Sequence, residues 1–230
     1  MSNYIEVMVI VEGKTEEIFI NSMVQPYLAQ KNIFIQATQI TKPGQKGGDV
    51  RFARVKRDLA IHLKQRKETF VTLYVDYYGI NSDWPGLDSV REGATPKQIA
   101  KTINHATKAK AVKLFAGQNA ENRFIPFIAV HEFEALLFSD PELISSHLEV
   151  KLSDVNAVLA ECGAPEAINN SPNTAPSKRL DGWSKNGKFP KTTTGIAIAQ
   201  GIGIKRMRQR CPLFDTWLHT FETIQERFNG

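Results

Sequence analysis

Two carboxylates four residues apart, Glu12 and Glu16, follow directly on the apolar run at residues 5–11. That run, Ile-Glu-Val-Met-Val-Ile-Val, alternates little and is rich in β-branched residues, the pattern of a strand buried on both faces. Gly13 then permits a sharp turn into a helix that begins near Lys14. An acid at a strand's carboxyl end and another in the first helical turn both reach the crevice where open α/β sheets bind ligands, and two hard oxygen donors there suit a divalent cation. The same spacing has a plainer reading, in which Glu16 and Glu17 are acids favoured by a helix dipole and Glu12 is a polar strand end.

The motif recurs along the chain. The run at residues 70–78 carries Asp76 just ahead of Gly79, and the run at residues 123–130 leads into His131-Glu-Phe-Glu134, which puts Glu132 with Glu134 at the close of another strand. Strands alternating with helices of this length imply parallel pairing through right-handed crossovers, and parallel strands direct their carboxyl ends to one rim. Glu12, Asp76 and Glu132 are therefore expected to meet there around a metal ion. His131 is placed either to act as a general base or to support a neighbouring carboxylate by hydrogen bonding.

The elements that must position these groups are legible as alternating periodicities. Residues 14–29 have helical spacing with Pro26 near the end, residues 33–40 read as a strand, and residues 41–49 form a glycine-rich loop. That loop lacks the Lys-Ser/Thr ending of a nucleotide-binding P-loop, and the chain has no ATP motif elsewhere. Residues 50–67 make a basic helix, and Thr95-Pro96 is an N-cap and first residue for a helix through residue 110. Pro126 places the strand at residues 123–130 near an edge. From residue 139 the strand signal fades, and helices are expected at residues 140–148, 153–162, 175–180, 194–201 and 212–228. The reading is thus an α/β core over residues 1–138 and a helical extension over residues 139–230 packed on it as one structural unit.

Composition sets outer limits. With 230 residues, 42% of them hydrophobic and 23% charged, the chain has the make-up of a globular domain with a sizeable core. No apolar stretch approaches the length of a membrane span, and the N-terminus lacks the features of a secretory signal, so a cytoplasmic location without membrane contact is expected. Cys162 and Cys211 have no metal-like spacing and read as buried thiols. The net charge of +5 permits attraction to a polyanion without requiring it. Basic residues gather at 51–67, 101–113 and 205–210, each of which reads equally as a solvated helix face.

The acidic strand ends, in this order and with these neighbours, resemble the Toprim domain, the metal-binding α/β module of topoisomerases, primases and OLD-family nucleases. The resemblance is closer to a bacterial family named as domain of unknown function 4276. It is carried by Val11-Glu-Gly-Lys-Thr-Glu-Glu17, Val75-Asp-Tyr-Tyr-Gly79, Arg123-Phe-Ile-Pro-Phe127, His131-Glu-Phe-Glu-Ala-Leu-Leu-Phe138, Ala175-Pro-Ser-Lys-Arg179 and Cys211-Pro-Leu-Phe214, which span nearly the whole chain. The resemblance implies a Toprim-like, mostly parallel sheet with flanking helices and a site for Mg2+ or Mn2+. Glu12 matches the Toprim glutamate after the first strand and Asp76 the first aspartate of an Asp-x-Asp motif, whereas Tyr78 stands in place of the second. A phenol with an ordinary pKa of about 10 binds magnesium poorly at neutral pH, so Glu132 or Glu134 would fill that place. Similarity to OLD-family nucleases adds Glu16 to the metal shell.

The activity so implied is metal-dependent hydrolysis of DNA or RNA, with a pair of ions about 4 Å apart. Lys178 and Lys185, from the polar stretches of the extension, are candidates to stabilise the charge of the phosphoryl transition state. Similar small Toprim proteins accompany ATPases of the AAA or ABC type in bacterial phage defence, which implies a separately encoded ATPase partner. The alternative is a noncatalytic, degenerate Toprim subunit that assembles with such an ATPase. The tryptophans Trp84, Trp183 and Trp217 read as packing residues before they read as base-stacking ones.

Overall fold

The computed structural model of the protein describes residues 4–42, 45–46, 50–130, 132–168 and 173–229. The chain forms two compact units, one made of residues 1–129 and 217–230, the other of residues 130–216.

The first unit is built on a sheet of parallel strands. Its strands are β1 (Ile5–Val11), β2 (Ile33–Gln39), β5 (Phe70–Asp76), β6 (Phe124–Ile125) and β7 (Ile128–Ala129). They run in the order β2-β1-β5-β6, with β7 also paired to β5. Burial follows position in the sheet. In β5 every residue from Phe70 to Val75 is buried, and in β1 Val9, Ile10 and Val11 are sealed, because both strands have neighbours on each side. β2, at the edge, alternates Ile33, Ile35 and Ala37 inward with Phe34 and Gln36 outward. The strand expected over residues 123–130 is in fact two short ones. Arg123 closes the turn of α5 (Ala120–Arg123), and Pro126, which has no N–H to donate, falls in the gap between β6 and β7.

Helices fill the connections. From β1 the chain enters α1 (Lys14–Phe19), widens through a π-helical turn at Ile20–Val24, and continues as α2 (Gln25–Ala29). Within the wide turn, the Asn21 side-chain carbonyl accepts the Ala37 N–H of β2 at 2.9 Å. The glycine-rich segment contains the strand pair β3 (Thr41–Lys42) and β4 (Gln45–Lys46), and leads to α3 (Phe52–Gln65). After β5 comes a long connection whose Trp84 is buried and donates its indole N–H to Thr107 at 2.9 Å. It ends at α4 (Pro96–Leu114), where Thr95 is the expected N-cap and forms a capping box with Gln98. The last part of the C-terminal helix α11 (Pro212–Asn229) closes the unit: Trp217 stacks on Phe127 with ring centroids 5.0 Å apart and donates its indole N–H to the buried Thr72 at 3.0 Å. Trp84 and Trp217 are thus core residues.

The second unit is helical. Its centre is α6 (Phe133–Leu137), every residue of which is buried, and around it lie α7 (Pro141–Leu148), α8 (Leu152–Cys162), α9 (Pro176–Trp183) and α10 (Ile196–Arg210). The helix read over residues 194–201 extends to Arg210 because the chain bends at Gly203 (φ 74°, ψ 154°) and resumes. A second π-helical turn, Lys191–Gly195, precedes α10. Cys211 is buried against the Ser139 hydroxyl at 3.4 Å, and Cys162 is half-buried and unbridged. The architecture is the α/β one expected, a parallel sheet flanked by helices and followed by a helical C-terminal stretch.

Candidate metal centre at the carboxyl rim

The strand order fixes where a ligand would sit. From β1 the chain crosses outward to β2, then returns to place β5 on the opposite side of β1. The gap between β1 and β5 is therefore the point where the winding reverses, and crevices form outside the carboxyl ends of strands at such points. Val11 lies level with Tyr74 in the parallel register. Glu12, one residue past Val11, and Asp76, two past Tyr74, thus leave the sheet side by side at that rim.

Two close approaches define the acidic pair on β1 and α1. The Glu12 carboxylate lies against Gly79, in the turn that follows Asp76; a Cβ at Gly79 would sit 2.9 Å from Glu12 Oε2. Only glycine leaves that space. The Glu16 carboxylate folds back toward the β1–α1 turn, where a Cβ on Gly13 would lie 3.3 Å from its Oε2. Glu17, by contrast, is taken up structurally, receiving Lys14 Nζ at 2.8 Å and Gln39 Nε2 at 2.7 Å. Asp76 accepts the Tyr78 N–H at 3.0 Å and so also fixes the turn carrying Gly79. Other acids of this unit have evident structural tasks: Asp58 accepts the Thr41 N–H, and Asp83 caps the first amides of α3, those of Phe52 and Ala53.

Tyr78, two residues past Asp76, is 47% exposed and its ring packs edge-on against Tyr77. Burial of part of the ring, with Tyr77 and Asp76 nearby, raises its phenol above the ordinary pKa of 10. It therefore stays neutral at physiological pH and offers no anionic ligand.

Glu132 and Glu134 belong to the second unit. Glu132 accepts the Ser177 N–H of α9 at 3.0 Å. Glu134 is 1% exposed and pairs with Lys191 Nζ from the π-helical turn. Burial drives its carboxyl above the usual range, and Lys191 opposes that shift. Lys178 pairs with Asp181 at 3.7 Å and Lys185 with Glu149 at 2.8 Å, all on the surface. His131 lies outside the described residues. The sequence-predicted ligands thus divide between the units, with Glu12, Glu16 and Asp76 on the first and Glu132 and Glu134 on the second. Lys191 escaped sequence reading because nothing local in Lys-Thr-Thr-Thr-Gly marks it; its signal is a buried acid 57 positions earlier that must have a partner.

The donor chemistry at the rim fits magnesium or manganese. Among the described residues, no group of three histidine, cysteine, aspartate or glutamate side chains is gathered to hold an ion. Magnesium does not need one: it is commonly held by one or two carboxylates and keeps several waters. Glu12 and Asp76 supply that number of hard oxygens.

The profile of the family described as "Domain of unknown function (DUF4276)" matches residues 11–222, from the end of β1 into α11. The chain belongs to this family. Within DUF4276, this member has an α/β fold, a parallel sheet flanked by helices, with acids at the exits of the two central strands. It is similar to two solved structures of the C-terminal region of the Xanthomonas campestris pv. campestris OLD protein, one phased with mercury and one with iodine. The first is 10% identical with a TM-score of 0.44, over 97% of this chain and 98% of that one. The second is 12% identical with a TM-score of 0.43, over 97% of each. No curated protein matches the chain. Among the described residues, no helix is long and apolar enough to cross a membrane.

Proposed function

We propose that this DUF4276 protein is a Toprim-type nuclease, a Mg2+- or Mn2+-dependent hydrolase of phosphodiester bonds in DNA or RNA. One observation carries the reading: the Glu12 carboxylate rests on Gly79, in the turn that Asp76 fixes, at the reversal point of the sheet. Glu12 and Asp76 are the residues that would hold the ion, and Glu16 would join them. The ion supplies Lewis acidity toward a phosphoryl oxygen and a lowered pKa for bound water. The protein's own part is to fix two carboxylates at a half-buried rim and to keep the space beside them open. In the second unit Glu134 is paired with Lys191 and Glu132 accepts the Ser177 N–H, and Lys178 and Lys185 remain candidates to meet phosphate.

The test joins binding to cutting. Purified protein is titrated with Mn2+ by calorimetry and assayed on plasmid, single-stranded DNA and tRNA, beside Glu12→Gln and Asp76→Asn. Both substitutions should remove the tightest Mn2+ site and all cleavage, and equal cutting by Glu12→Gln would refute the assignment.

A second reading has one observation in its favour. Tyr78, neutral where Toprim enzymes carry aspartate, suits a degenerate domain that assembles with an AAA- or ABC-type ATPase in a phage-defence module. In that case, pull-down from the native host recovers an ATPase with wild-type protein and Glu12→Gln alike, and calorimetry shows no Mn2+ site. An effector nuclease with the same ATPase partner would instead bind Mn2+ and lose it with Glu12.

A further inference from the structure

The end of the sheet opposite the acidic rim carries a basic groove. Two adjoining open clefts, of about 350 and 380 Å3, share Lys67, Asn119 and Arg123 as walls. Their position follows from Phe70, the first residue of β5, and Arg123, which precedes β6. Arg123 is a fixed part of the wall: its buried guanidinium donates to the carbonyls of Leu63, Gln118, Thr69 and Arg66. Around it stand Lys64, Lys67 and Arg227, with Glu68 as the one acid lining the clefts.

None of these three cations has a side-chain partner among the described residues, nor do Arg57, Lys110 or Lys113. Other basic residues of this unit do: Arg66 pairs with Glu6, Lys31 with Glu222, and Lys108 donates to three backbone carbonyls. Three unpaired cations around one groove, with a single acid beside them, place positive potential there.

The groove also connects with the rim. A helix joining parallel strands runs antiparallel to them, and α3 does so: Asp83, in the connection leaving the carboxyl end of β5, caps its first amides, while its last turn enters the groove at Lys64. Arg57 and Lys64, seven residues apart and both exposed, share a face of α3. That face carries two positive charges about 10 Å apart at about 1.5 Å per residue, leading toward the groove.

We infer that the exposed face of α3 and the groove at its end form a track for the phosphate backbone of a nucleic acid, with Arg57, Lys64, Lys67 and Arg227 as its phosphate contacts. Arg57 lies about 10 Å along α3 from Lys64, farther than one anion reaches, which favours a polyphosphate chain over a single anion. The inference rests on the nuclease reading for its ligand alone, and its test needs neither metal nor cleavage.

Binding of a labelled duplex and a labelled single strand is followed by fluorescence anisotropy in EDTA, across about 50 to 200 mM salt. Wild-type protein is compared with Lys64→Gln/Lys67→Gln/Arg227→Gln, with each single substitution, and with Lys110→Gln/Lys113→Gln on the exposed face of α4. Loss of three contacts should make the slope of log affinity against log salt shallower by about 2 to 3 for duplex and about 2 for single strand. Affinity at about 100 mM salt should fall at least tenfold, against less than threefold for the α4 pair. The single substitutions should each lower the slope by about 1, so a folding defect in the triple variant leaves the outcome readable. Equal slopes for wild type and the track variants overturn the inference, as does displacement of the oligonucleotide by inorganic phosphate at fixed ionic strength, which would mark a single-anion pocket. Cutting by Glu12→Gln and the salt slope of the track variants are separate measurements, so loss of cutting and loss of the track fail independently.

Discussion

Replacing Gly79 by alanine tests the rim without touching a carboxylate. The new Cβ would lie 2.9 Å from Glu12 Oε2 and 3.4 Å from its Oε1. Ordinary van der Waals contact begins near 3.4 Å, so the nearer oxygen must retreat by about half an ångström or more, and the end of a glutamate side chain is free enough to do so. The fold should survive. A metal-binding constellation tolerates about 0.5 Å of error, and a displacement near 1 Å can cost about 100-fold in rate. Gly79→Ala is therefore expected to weaken Mn2+ binding and lower kcat/KM for plasmid cleavage by about 10- to 100-fold. Its melting temperature should stay near that of wild type. The readouts are Mn2+ calorimetry, initial cleavage rates and thermal unfolding on the same preparation. Adding Glu12→Asp, which withdraws the carboxylate by one methylene, should return part of the affinity that Gly79→Ala removes. Unchanged metal binding and cleavage in Gly79→Ala, alongside their loss in Glu12→Gln, would show that Glu12 does not act from the position seen against Gly79.

Other expectations concern buried charge. Burial raises Glu166 from 4.5 to about 7 against the pull of two hydrogen bonds, from the Leu213 and Phe214 amides at the start of α11, while Asp215 adds to the rise. The folded chain then keeps a proton that the unfolded chain releases between these values, so stability should fall as pH rises through that window, by up to about 3 kcal/mol. Urea unfolding across pH 4.5 to 7 should show this slope in wild type and a flatter one in Glu166→Gln; identical slopes would refute it. Lys191→Met leaves Glu134 buried without its cation, and because Lys191 is 42% exposed the loss should be about 1 to 3 kcal/mol, below that of a fully buried pair. The loss should be greater at pH 8 than at pH 5, and adding Glu134→Gln should reverse most of it; a Lys191→Met protein as stable as wild type would argue against the pair. Thr72→Val strands the buried Trp217 indole N–H and should cost about 1 to 3 kcal/mol in urea unfolding, whereas an unchanged midpoint would discount that bond.

Much of this architecture is local in origin and so was visible in the chain. β1 and β5 are continuous apolar runs because they are central, and an acid ending such a run stands out, which is how Glu12 and Asp76 were found. The capping box at Thr95 lies within four residues and reads directly. What escaped notice depends on partners far apart in sequence. Gly79 read as the close of a strand, since nothing near it shows that Glu12 lies opposite. Trp217 reaches Thr72 across 145 positions, which sets the last turns of α11 against the sheet although the surrounding sequence reads as helical extension. The broken strand at Pro126 was half legible: proline indicated an edge, but the buried Arg123 clamp that ends α5 and starts β6 is tertiary.

The Asn21 contact bears on how this sheet meets other chains. A parallel sheet that stops at β2 leaves a row of backbone donors on its outer side, and such a row invites a foreign strand to add on. The wide turn at Ile20–Val24 swings an amide side chain to the Ala37 N–H, so one of those donors is already engaged from within. With Phe34 exposed nearby, covered in part by the edge of the Tyr4 ring, the border would otherwise be adhesive. An irregular turn of helix thus closes part of the sheet's own border from within.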